Sequence, residues 1–353
     1  SAACNEAVKL CIGLGLKPLK GFVNGVLRNI SRNKKDLNIS KPLAKDAKSL
    51  SNLYGFPLWL VELWIEEYGV EIARIIIEYL PPIHWVNIRI NKGKTNRQEI
   101  LRILEDGNIQ IEDGLFFENA LRVRGLGNVQ DSPLHQQGLY TVQGESSMLV
   151  CRILDPRPHE RILDTCSAPG GKGIYIAELM NMKGKIYAWD IHGHRVELIE
   201  KDALRMGATI VESEVQDATV LRPELEGSMD RVLIDAPCSG WGVLHKKPDI
   251  KLRIKEENMA SLYELQRKIL GNSSSYVKPG GVLVYSTCTI NPWENNKMVE
   301  AFLEDHPEFT LEDFTDYLPF GLKDLVKKKG MIQLIPGRDG IDGFFVAKLR
   351  RAI

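Results

Sequence analysis

The sequence contains no apolar run that approaches the roughly 18 residues a membrane-spanning helix needs. It shows no secretory leader either, because the first apolar stretch carries Lys9 and no basic segment precedes it. No segment is of low complexity, and the 44% of hydrophobic and 26% of charged residues are ordinary for a globular protein. We therefore expect a cytoplasmic protein with no membrane partner.

Cysteine is scarce and dispersed. There are 6 cysteines, and no two of them form a C-x-x-C pair. Neither a metal site nor a disulfide framework is expected from this spacing. A single cysteine is most often a small buried apolar side chain, so a chemical role for any of the six needs independent support.

Neither sign of charge predominates, since 46 basic side chains balance 46 acidic ones. A nucleic-acid enzyme need only be basic on its contact face, so this balance neither supports nor excludes an RNA substrate. The length of 353 residues is too great for one small core and predicts two or three domains. We expect the protein to be a monomer.

The first part of the chain predicts two modules. Residues 1–70 are expected to be a helical segment, because apolar side chains recur at helical spacing. Pro81 and Pro82 mark a boundary. Residues 71–138 predict a small α+β RNA-binding module with a strand at 85–90, a helix at 98–104 and two short strands within 115–124.

Residues 139–353 predict an α/β domain with a mostly parallel, Rossmann-like sheet, because short apolar strands alternate with helical stretches. The predicted strands are 161–164, 185–190, 231–235 and 282–285, and the predicted helices are 174–180, 195–206 and 259–277. The segments 331–335 and 343–349 are too close for a helical crossover. They predict an antiparallel pair at one edge of the sheet.

A glycine-containing turn follows the first strand of this domain, in the sequence Asp164-Thr-Cys-Ser-Ala-Pro-Gly-Gly-Lys-Gly173. Gly170 and Gly171 allow the backbone to approach a ligand at a helix N-terminus. The turn lacks the residues that a P-loop needs at its two ends, and it does not match G-x-G-x-x-G. Pro169 also stiffens a turn that would have to wrap a pyrophosphate. The remaining candidate is an adenosine ligand without phosphates, S-adenosylmethionine.

Two acidic residues favour the same cofactor. Asp190 ends the second predicted strand, where a carboxylate reaches ribose hydroxyls, and Asp217 follows the third and is placed to accept from the adenine amino group. A single aspartate at a strand end is typically solvated. Together with the glycine turn at the same sheet edge, the pair favours a cofactor site.

Two cysteines follow neighbouring strands of the predicted sheet. Cys238 comes after 231–235 and Cys288 after 282–285, so both are expected at the carboxyl ends of these strands, beside the cofactor. Thiols there suit methylation at C5 of a pyrimidine. A thiolate that adds to C6 breaks the aromaticity, and C5 then attacks the sulfonium methyl group. The spacing alone does not say which cysteine is the nucleophile.

Two charged residues fit this chemistry. Lys172 is a candidate for the positive charge that favours a thiolate, although a lysine in the first turn of a helix is commonly exposed. Asp235 is placed to pair with Lys172 or to hydrogen-bond the edge of the base, where protonation at N3 makes C6 more electrophilic.

From about Thr141 to its end, the chain resembles the Sun-type (Nol/Nop/Sun) family of RNA 5-methylcytosine methyltransferases. The matching stretches are Asp164-Thr-Cys-Ser-Ala-Pro-Gly-Gly-Lys172, Asp235-Ala-Pro-Cys-Ser-Gly240, Tyr285-Ser-Thr-Cys288 with Asn291-Pro292 and Glu294-Asn295, and Asp342-Gly-Phe-Phe345. The chain departs from the family at Gly144, where Asp is usual, and at Trp241, where Thr is common.

The resemblance implies roles for individual residues. Cys288 would attack C6, and Cys238 would assist release of the methylated RNA. The implied cofactor contacts are Cys166, Ser167, Ala168, Pro169, Gly170, Gly171, Lys172, Asp190, Arg195, Asp217 and Asp235.

The upstream sequence is similar to one branch of this family. Gly55–Leu60 and Asn87–Arg89 resemble the bacterial ribosomal branch, and Lys20–Arg28 resembles the end of a NusB-like RNA-binding domain, which would be larger than the residues present here. The resemblance implies ribosomal RNA of the small subunit as the substrate.

Basic residues near the second motif are candidate RNA contacts. The run His245-Lys246-Lys247-Pro248-Asp249 and Arg253 is expected on the rim of the cleft, whereas Lys327–Lys329 is more typical of solvated surface. Arg89 and Arg97 are candidates in the small module. A cytosine must be unstacked to reach the thiol, so a flipped or single-stranded base is expected.

Three other functions remain open from the sequence. A DNA cytosine-C5 methyltransferase would use the same covalent chemistry, with a nucleophile in a Pro-Cys context such as Pro237-Cys238. A non-catalytic RNA-binding ribosome-assembly factor with a methyltransferase fold is disfavoured by the intact loop, acids and cysteines. A small-molecule methyltransferase is disfavoured by the additional N-terminal modules.

Overall fold

The computed structural model describes residues 2–33, 46–79 and 85–353. The chain divides into two compact units, Ser1–Gly55 and Phe56–Ile353. Pro81 and Pro82, where a boundary was predicted, lie outside the described residues. Within the ranges that are described, no helix is both long enough and apolar enough to cross a membrane.

The described part of the first unit is helical, as predicted. Its helices are α1 (Ala2–Gly13), α2 (Lys20–Arg32) and α3 (Ala47–Tyr54). Helix α3 has a defined start and end, because the Asp46 side chain accepts from the Ser49 N–H at 2.9 Å and Gly55 closes the helix with φ 64°.

The second unit begins with an antiparallel sheet flanked by helices. Its first elements are α4 (Leu58–Tyr68), α5 (Val70–Glu78), β1 (Val86–Ile90), α6 (Arg97–Asp106), β2 (Gln110–Asp113), β3 (Ala120–Arg124), α7 (Pro133–Gln136) and β4 (Tyr140–Val142). The four strands form one sheet in the order β2-β3-β1-β4. Alternating residues of β1 and β3 bury Ile88, Ile90, Leu121 and Val123 in a core shared with Ile100 of α6.

The prediction of two short strands within 115–124 is correct for one strand and wrong for the other. The sheet uses β2 at 110–113 and β3 at 120–124, and the residues between them form a turn. The backbone N–H groups of Leu115, Phe116 and Phe117 all donate to the buried carboxylate of Glu145. These donors are therefore unavailable to a neighbouring strand.

The rest of the unit is the predicted α/β domain. Its elements are α8 (Glu145–Leu154), β5 (Arg161–Asp164), α9 (Gly171–Leu179), β6 (Lys185–Asp190), α10 (Gly193–Met206), β7 (Val211–Val215), β8 (Met229–Asp235), α11 (Ile250–Arg253), α12 (Met259–Ser275), β9 (Val277–Thr287), α13 (Asn296–Asp305), β10 (Phe309–Leu311), α14 (Phe320–Lys323), β11 (Met331–Leu334) and β12 (Phe344–Arg351). The three predicted helices correspond to α9, α10 and α12, and each predicted end lies within three residues of the observed end.

The mostly parallel sheet with an antiparallel edge is confirmed. Its strand order is β10-β12-β9-β8-β5-β6-β7, with β11 also paired to β12. Strands β5 to β9 are parallel, and β12 pairs antiparallel with β9, β10 and β11. Strand β10 was not predicted, because three residues are too few for an alternating pattern.

The strand order creates a place for a ligand. Strand β5 lies between β6, which follows it in the chain, and β8, which comes much later. The connections on its two sides therefore leave in opposite directions. In sheets of this class, ligands bind at this switch point, outside the carboxyl ends of the strands.

Candidate active site

A cleft of about 500 Å³ opens at the carboxyl ends of the parallel strands. This size is typical of sites for small molecules and cofactors. Most of the predicted site residues line it, and they are Cys166, Ala168, Pro169, Asp190, Arg195, Asp217, Asp235, Cys238 and Cys288. The geometric prediction that these strand ends share one cleft is confirmed, while the chemical roles of the residues remain predictions.

The loop after β5 is held tightly against its neighbours. Ser167 N–H donates to the Trp189 carbonyl at 2.7 Å, and Arg195 Nη2 donates to the Ala168 carbonyl at 3.0 Å. Gly170 has φ 100°, and a Cβ there would lie 3.2 Å from the Ile199 side chain. A side chain at this position would thus be strained and crowded, which explains why the turn needs glycine.

Carboxylates dominate the cofactor end of the cleft. Asp190 accepts from the His192 N–H at 3.0 Å and forms an ion pair with Arg195 at 3.1 Å. The positive charge of Arg195 is therefore balanced by Asp190. Asp217 Oδ1 accepts from the backbone and the hydroxyl of Thr219 at 2.8 and 2.7 Å. Acceptors of this kind suit ribose hydroxyls and amino groups rather than phosphates, so the residues present fit S-adenosylmethionine.

A further acid lies buried at the start of the loop. Both carboxylate oxygens of Asp164 and the hydroxyl of Ser167 are buried without a hydrogen-bond partner in the described part of the chain. Burial raises the pKa of Asp164 to about 7, although the nearby Ser167 hydroxyl opposes the shift. The position of Asp164 at the end of a strand can be read from the sequence, but its burial cannot.

The two cysteines come together at the other end of the cleft. The Sγ atoms of Cys238 and Cys288 are 3.3 Å apart, and both side chains are partly buried. Parallel pairing of Asp235 with Ser286 brings the ends of β8 and β9 level, so the residues that follow them meet. The prediction that both cysteines face one pocket is confirmed.

The two thiols have different proton affinities. The hydrogen bond from Cys238 lowers the pKa of Cys288, while burial and the charge of Asp235 raise it and the charges of Lys172 and Lys247 lower it further. The pKa of Cys238 is raised chiefly because its proton is hydrogen-bonded to the Cys288 sulfur. Burial and the negative charges of Glu294 and Asp235 raise it further. Cys288 is therefore the thiol that favours the thiolate form.

Lys172 and Asp235 form an ion pair beside the cysteines. Lys172 Nζ lies 2.6 Å from Asp235 Oδ2, and Asp235 Oδ1 accepts from the Ser286 hydroxyl at 2.9 Å. Burial would lower the pKa of Lys172, but the ion pair with Asp235 outweighs it and the pKa is raised. Lys172 is thus not an exposed lysine of a helical first turn, since only 12% of its side chain is exposed.

The candidate RNA contacts separate into two groups. Lys247 lines the cleft, whereas His245 and Lys246 pair with Asp342 at 3.2 and 2.7 Å. Arg89 is fully buried and paired with Glu178, so its prediction as an RNA contact is wrong. Its side chain instead spans the small sheet and α9.

Arg97, by contrast, is partly exposed and is held by Asp113 and by the Glu118 carbonyl.

Both departures from the family pattern, Gly144 and Trp241, have a local explanation. Trp241 is buried against Trp59 and Trp64, and a side chain at Gly144 would meet Asp342 Oδ2 at 3.1 Å.

Sequence reasoning missed some of the residues that line the cleft. Leu265 and Ile269 of α12 contribute apolar surface, and Gln216 lies next to Asp217. The spacing of Leu265 and Ile269, four residues apart, is that of one helical face, but the sequence alone does not say that this face borders a ligand site.

Comparisons with known proteins agree with this geometry. A family model described as 16S rRNA methyltransferase RsmB/F matches residues 151–350. A model for the ferredoxin-like domain of RsmF/B-like methyltransferases matches residues 56–130, and a NusB family model matches residues 1–32.

Relatives and solved structures extend the similarity over nearly the whole chain. A Bacillus subtilis (strain 168) protein, named as a probable ribosomal RNA small subunit methyltransferase B, is 39% identical over 99% of this chain and 78% of the relative. A crystal structure of PH0851 superposes with a TM-score of 0.83 at 31% identity, covering 98% of this chain and 76% of that chain. A methyltransferase homologue from Pyrococcus horikoshii gives a TM-score of 0.72 at 26% identity, covering 88% of this chain and 100% of its own.

Proposed function

Because the chain belongs to the 16S rRNA methyltransferase RsmB/F family, we propose that it methylates C5 of a cytosine in small-subunit ribosomal RNA. The observation that carries this proposal is the 3.3 Å contact between Cys238 and Cys288 beside the cofactor loop. Two thiols in contact, with unequal proton affinities, suit a reaction in which one attacks a base and the other assists its release.

The methyl donor is S-adenosylmethionine, as in the methyltransferases of this family, and it supplies an electrophilic methyl group. We assign its binding to the loop Cys166–Lys172, to Asp190 and Arg195, and to Asp217. In this assignment Asp190 accepts from the ribose hydroxyls and Asp217 from the adenine amino group. The loop brings backbone groups close to the ligand at the start of α9.

Cys288 is the proposed nucleophile. Its thiolate adds to C6 of the cytosine, and the electron pair displaced from the C5–C6 bond makes C5 nucleophilic enough to take the methyl group. A lowered pKa gives Cys288 a larger thiolate fraction at neutral pH than an ordinary cysteine has. The C5 proton then passes to solvent, the electron pair of the C5–H bond re-forms the C5–C6 double bond, and Cys288 leaves C6 as a thiolate, which restores the aromatic ring.

Lys172 and Asp235 act together in this proposal. The charge on Lys172 stabilises the Cys288 thiolate, and the Lys172 ammonium holds the Asp235 carboxylate beside the cysteines. Asp235 is suited to orient the base by accepting a hydrogen bond from its exocyclic amino group.

Cys238 is assigned to product release. With a raised pKa it retains its proton next to the Cys288 sulfur, so it is placed to assist departure of Cys288 from C6. Loss of Cys238 would then leave methylated RNA attached to Cys288, whereas loss of Cys288 would prevent attachment altogether.

The test compares Cys288→Ala with Cys238→Ala on undermodified small-subunit ribosomal RNA and tritiated S-adenosylmethionine. We expect Cys288→Ala to form no adduct, also on RNA that contains 5-fluorocytosine, and Cys238→Ala to accumulate a covalent adduct with ordinary RNA. Mapping the label to C5 of one cytosine would complete the assignment. Label on DNA instead, or an adduct that survives Cys288→Ala, would refute it.

A further inference from the structure

Glu294 is a fully buried carboxylate in the turn between β9 and α13. Its Oε2 accepts from the Ser239 N–H at 2.9 Å and from Gln266 Nε2 at 2.8 Å. Its Oε1 accepts from Asn291 Nδ2 at 2.9 Å and from the Ser239 hydroxyl. All four contacts come from neutral donors, so hydrogen bonds alone replace the water that this carboxylate loses on burial.

From Ser239 the hydrogen bonds continue to the segment that follows Cys288, and the donor and acceptor of each bond are defined. Ser239 Oγ lies 2.8 Å from Thr289 Oγ1, and the Asn291 N–H donates to Thr289 Oγ1 at 3.3 Å. Because Ser239 gives its single hydroxyl proton to Glu294, Thr289 must donate to Ser239. The residues that directly follow the two cysteines are therefore bonded to each other.

Gln266 extends the network to the other side of Cys238. Its Nε2 donates both to Glu294 and to the Pro237 carbonyl at 2.8 Å. Since both neighbours of this nitrogen are acceptors, the orientation of the amide is fixed. Pro237 and Ser239, the residues on either side of Cys238, are thus both anchored to buried groups.

The two cysteines need this anchoring to different degrees. Cys288 directly follows β9, and the end of this strand is paired with β8 on one side and β12 on the other, through Ser286 and Thr287. Cys238 lies in a loop beyond the last ladder pair of β8. Its position therefore depends on hydrogen bonds from outside the sheet.

We propose that Glu294 is a positioning residue that holds the Cys238 thiol against Cys288 for the release step. The inference rests on the proposed function, because it takes Cys238 as the residue that assists departure of Cys288 from C6. Loss of the Glu294 carboxylate frees the Cys238 loop and leaves Cys288 in place, so attachment of RNA continues and release slows.

The experiment uses Glu294→Gln in the full chain, which keeps the size of the side chain but replaces one acceptor oxygen by a donor. We expect kcat to fall about tenfold or more with the KM for RNA within about twofold, as for loss of an interaction that acts after binding. The RNA–enzyme adduct should accumulate on ordinary ribosomal RNA. In a Cys238→Ala background the same change should have no further effect, because the two residues act in one step.

The matched control is Glu160→Gln, which removes a carboxylate from a hydrogen-bonded pair with Arg231 at the opposite end of β8. It should reduce stability without adduct accumulation. Ser239→Ala, which deletes one hydroxyl of the network, is the second variant if Glu294→Gln does not bind S-adenosylmethionine by calorimetry. It should also accumulate adduct, to a smaller extent.

Two results would overturn the inference. One is a loss of activity in Glu294→Gln and Ser239→Ala without adduct, which would mean a merely structural role. The other is an effect that adds fully to that of Cys238→Ala. If Cys238→Ala itself accumulates no adduct, the release step of the proposed function has failed instead.

Discussion

The backbone N–H of Gly242 donates to the carbonyl of Cys288 at 3.1 Å, and the Gly242 carbonyl accepts from the Gly343 N–H at 2.9 Å. The loop after Cys238, the end of β9 and the segment before β12 therefore meet backbone to backbone. A Cβ at Gly242 would lie 2.1 Å from the Gly343 oxygen and 2.9 Å from the Cys288 oxygen. Only glycine allows this approach.

The first prediction follows from that contact. Gly242→Ala should destabilise the fold and displace Cys288, because rigid backbone atoms must move to accept the methyl group. We expect a loss of about 2 kcal/mol or more in the free energy of unfolding and a strong loss of methylation. Denaturant titration followed by tryptophan fluorescence measures the first, since all 6 tryptophans lie in Phe56–Ile353.

Gly271→Ala is the control for this change. Gly271 lies within α12, and a Cβ there has no neighbour within 4 Å. Alanine should therefore be neutral or should stabilise the protein by up to about 1 kcal/mol through helix propensity. Equal effects of the two substitutions would contradict the role assigned to the close backbone contact.

The second prediction concerns the charge beside the nucleophile. Lys172→Met removes a cation that lowers the pKa of Cys288 and leaves Asp235 without its ion-pair partner. The activity depends on the thiolate, so the rise of kcat/KM with pH should move to higher pH. At neutral pH we expect a loss on the order of 10- to 100-fold, as for one charge-assisted contact.

A pH series of single-turnover methylation measures this shift. Lys185→Met is the control, because Lys185 pairs with Glu212 at the amino end of β6, away from the cysteines. Its profile should match that of the unmodified protein. If Lys172→Met lowers the rate equally at every pH, Lys172 does not act through the Cys288 thiolate.

The third prediction concerns a buried ion pair at the far end of the sheet. Arg231 donates to both oxygens of Glu160, at 2.6 and 3.0 Å, and to the Leu154 carbonyl at 2.6 Å. Arg231→Met leaves the Glu160 carboxylate without its charged partner, with only the Arg157 N–H at 2.8 Å still donating to it, and removes the side-chain donor of the Leu154 carbonyl. We expect a loss of roughly 3 to 5 kcal/mol in the free energy of unfolding.

Arg267→Met serves as its counterpart on the surface. Arg267 and Asp305 are 64% and 52% exposed, and such pairs contribute at most about 1 kcal/mol. Denaturant midpoints and slopes distinguish the two cases. A loss below about 1 kcal/mol for Arg231→Met would mean that water replaces the arginine in this site.

The sequence predicted which strand ends meet at the cleft because strand ends and turn residues are local features. Asp190 ends a recognisable strand, Asp217, Cys238 and Cys288 each follow one, and parallel pairing then places all four at one edge. Non-local contacts were not predictable in this way. The Glu145 carboxylate converts a predicted strand into a turn through donors some 30 residues away in the chain.

Arg89 illustrates the same limit. An arginine in an alternating strand of a small module suggests a surface contact with RNA. Its guanidinium instead lies over the Tyr175 ring at 4.4 Å and pairs with Glu178, both on α9, which lies far along the chain. Only the docking of α9 on the small sheet decides between the two possibilities, and no local pattern encodes it.

The last prediction concerns Asp164, whose pKa is raised by burial to about 7. An unfolded chain ionises this group near pH 4, so between about pH 4 and 7 the folded state holds a proton that the unfolded state has lost. This difference lowers the stability of the cofactor-free protein as pH rises through that window. Asp164→Asn, which cannot ionise, should lack the effect and gain roughly 2 to 4 kcal/mol relative to the unmodified protein by pH 7.

Unfolding of the cofactor-free protein and its variants from about pH 2 to about pH 8 tests this expectation. Asp313→Asn provides a control of opposite sign, because hydrogen bonds from Thr315 lower the pKa of Asp313 to about 2. Its stabilising effect is present above pH 4 and is lost as pH falls towards 2, so the variant should differ from the unmodified protein most at neutral pH and least in acid. If the difference between Asp164→Asn and the unmodified protein does not change between pH 4 and 7, then Asp164 is ionised in the folded protein, and a donor must reach its carboxylate.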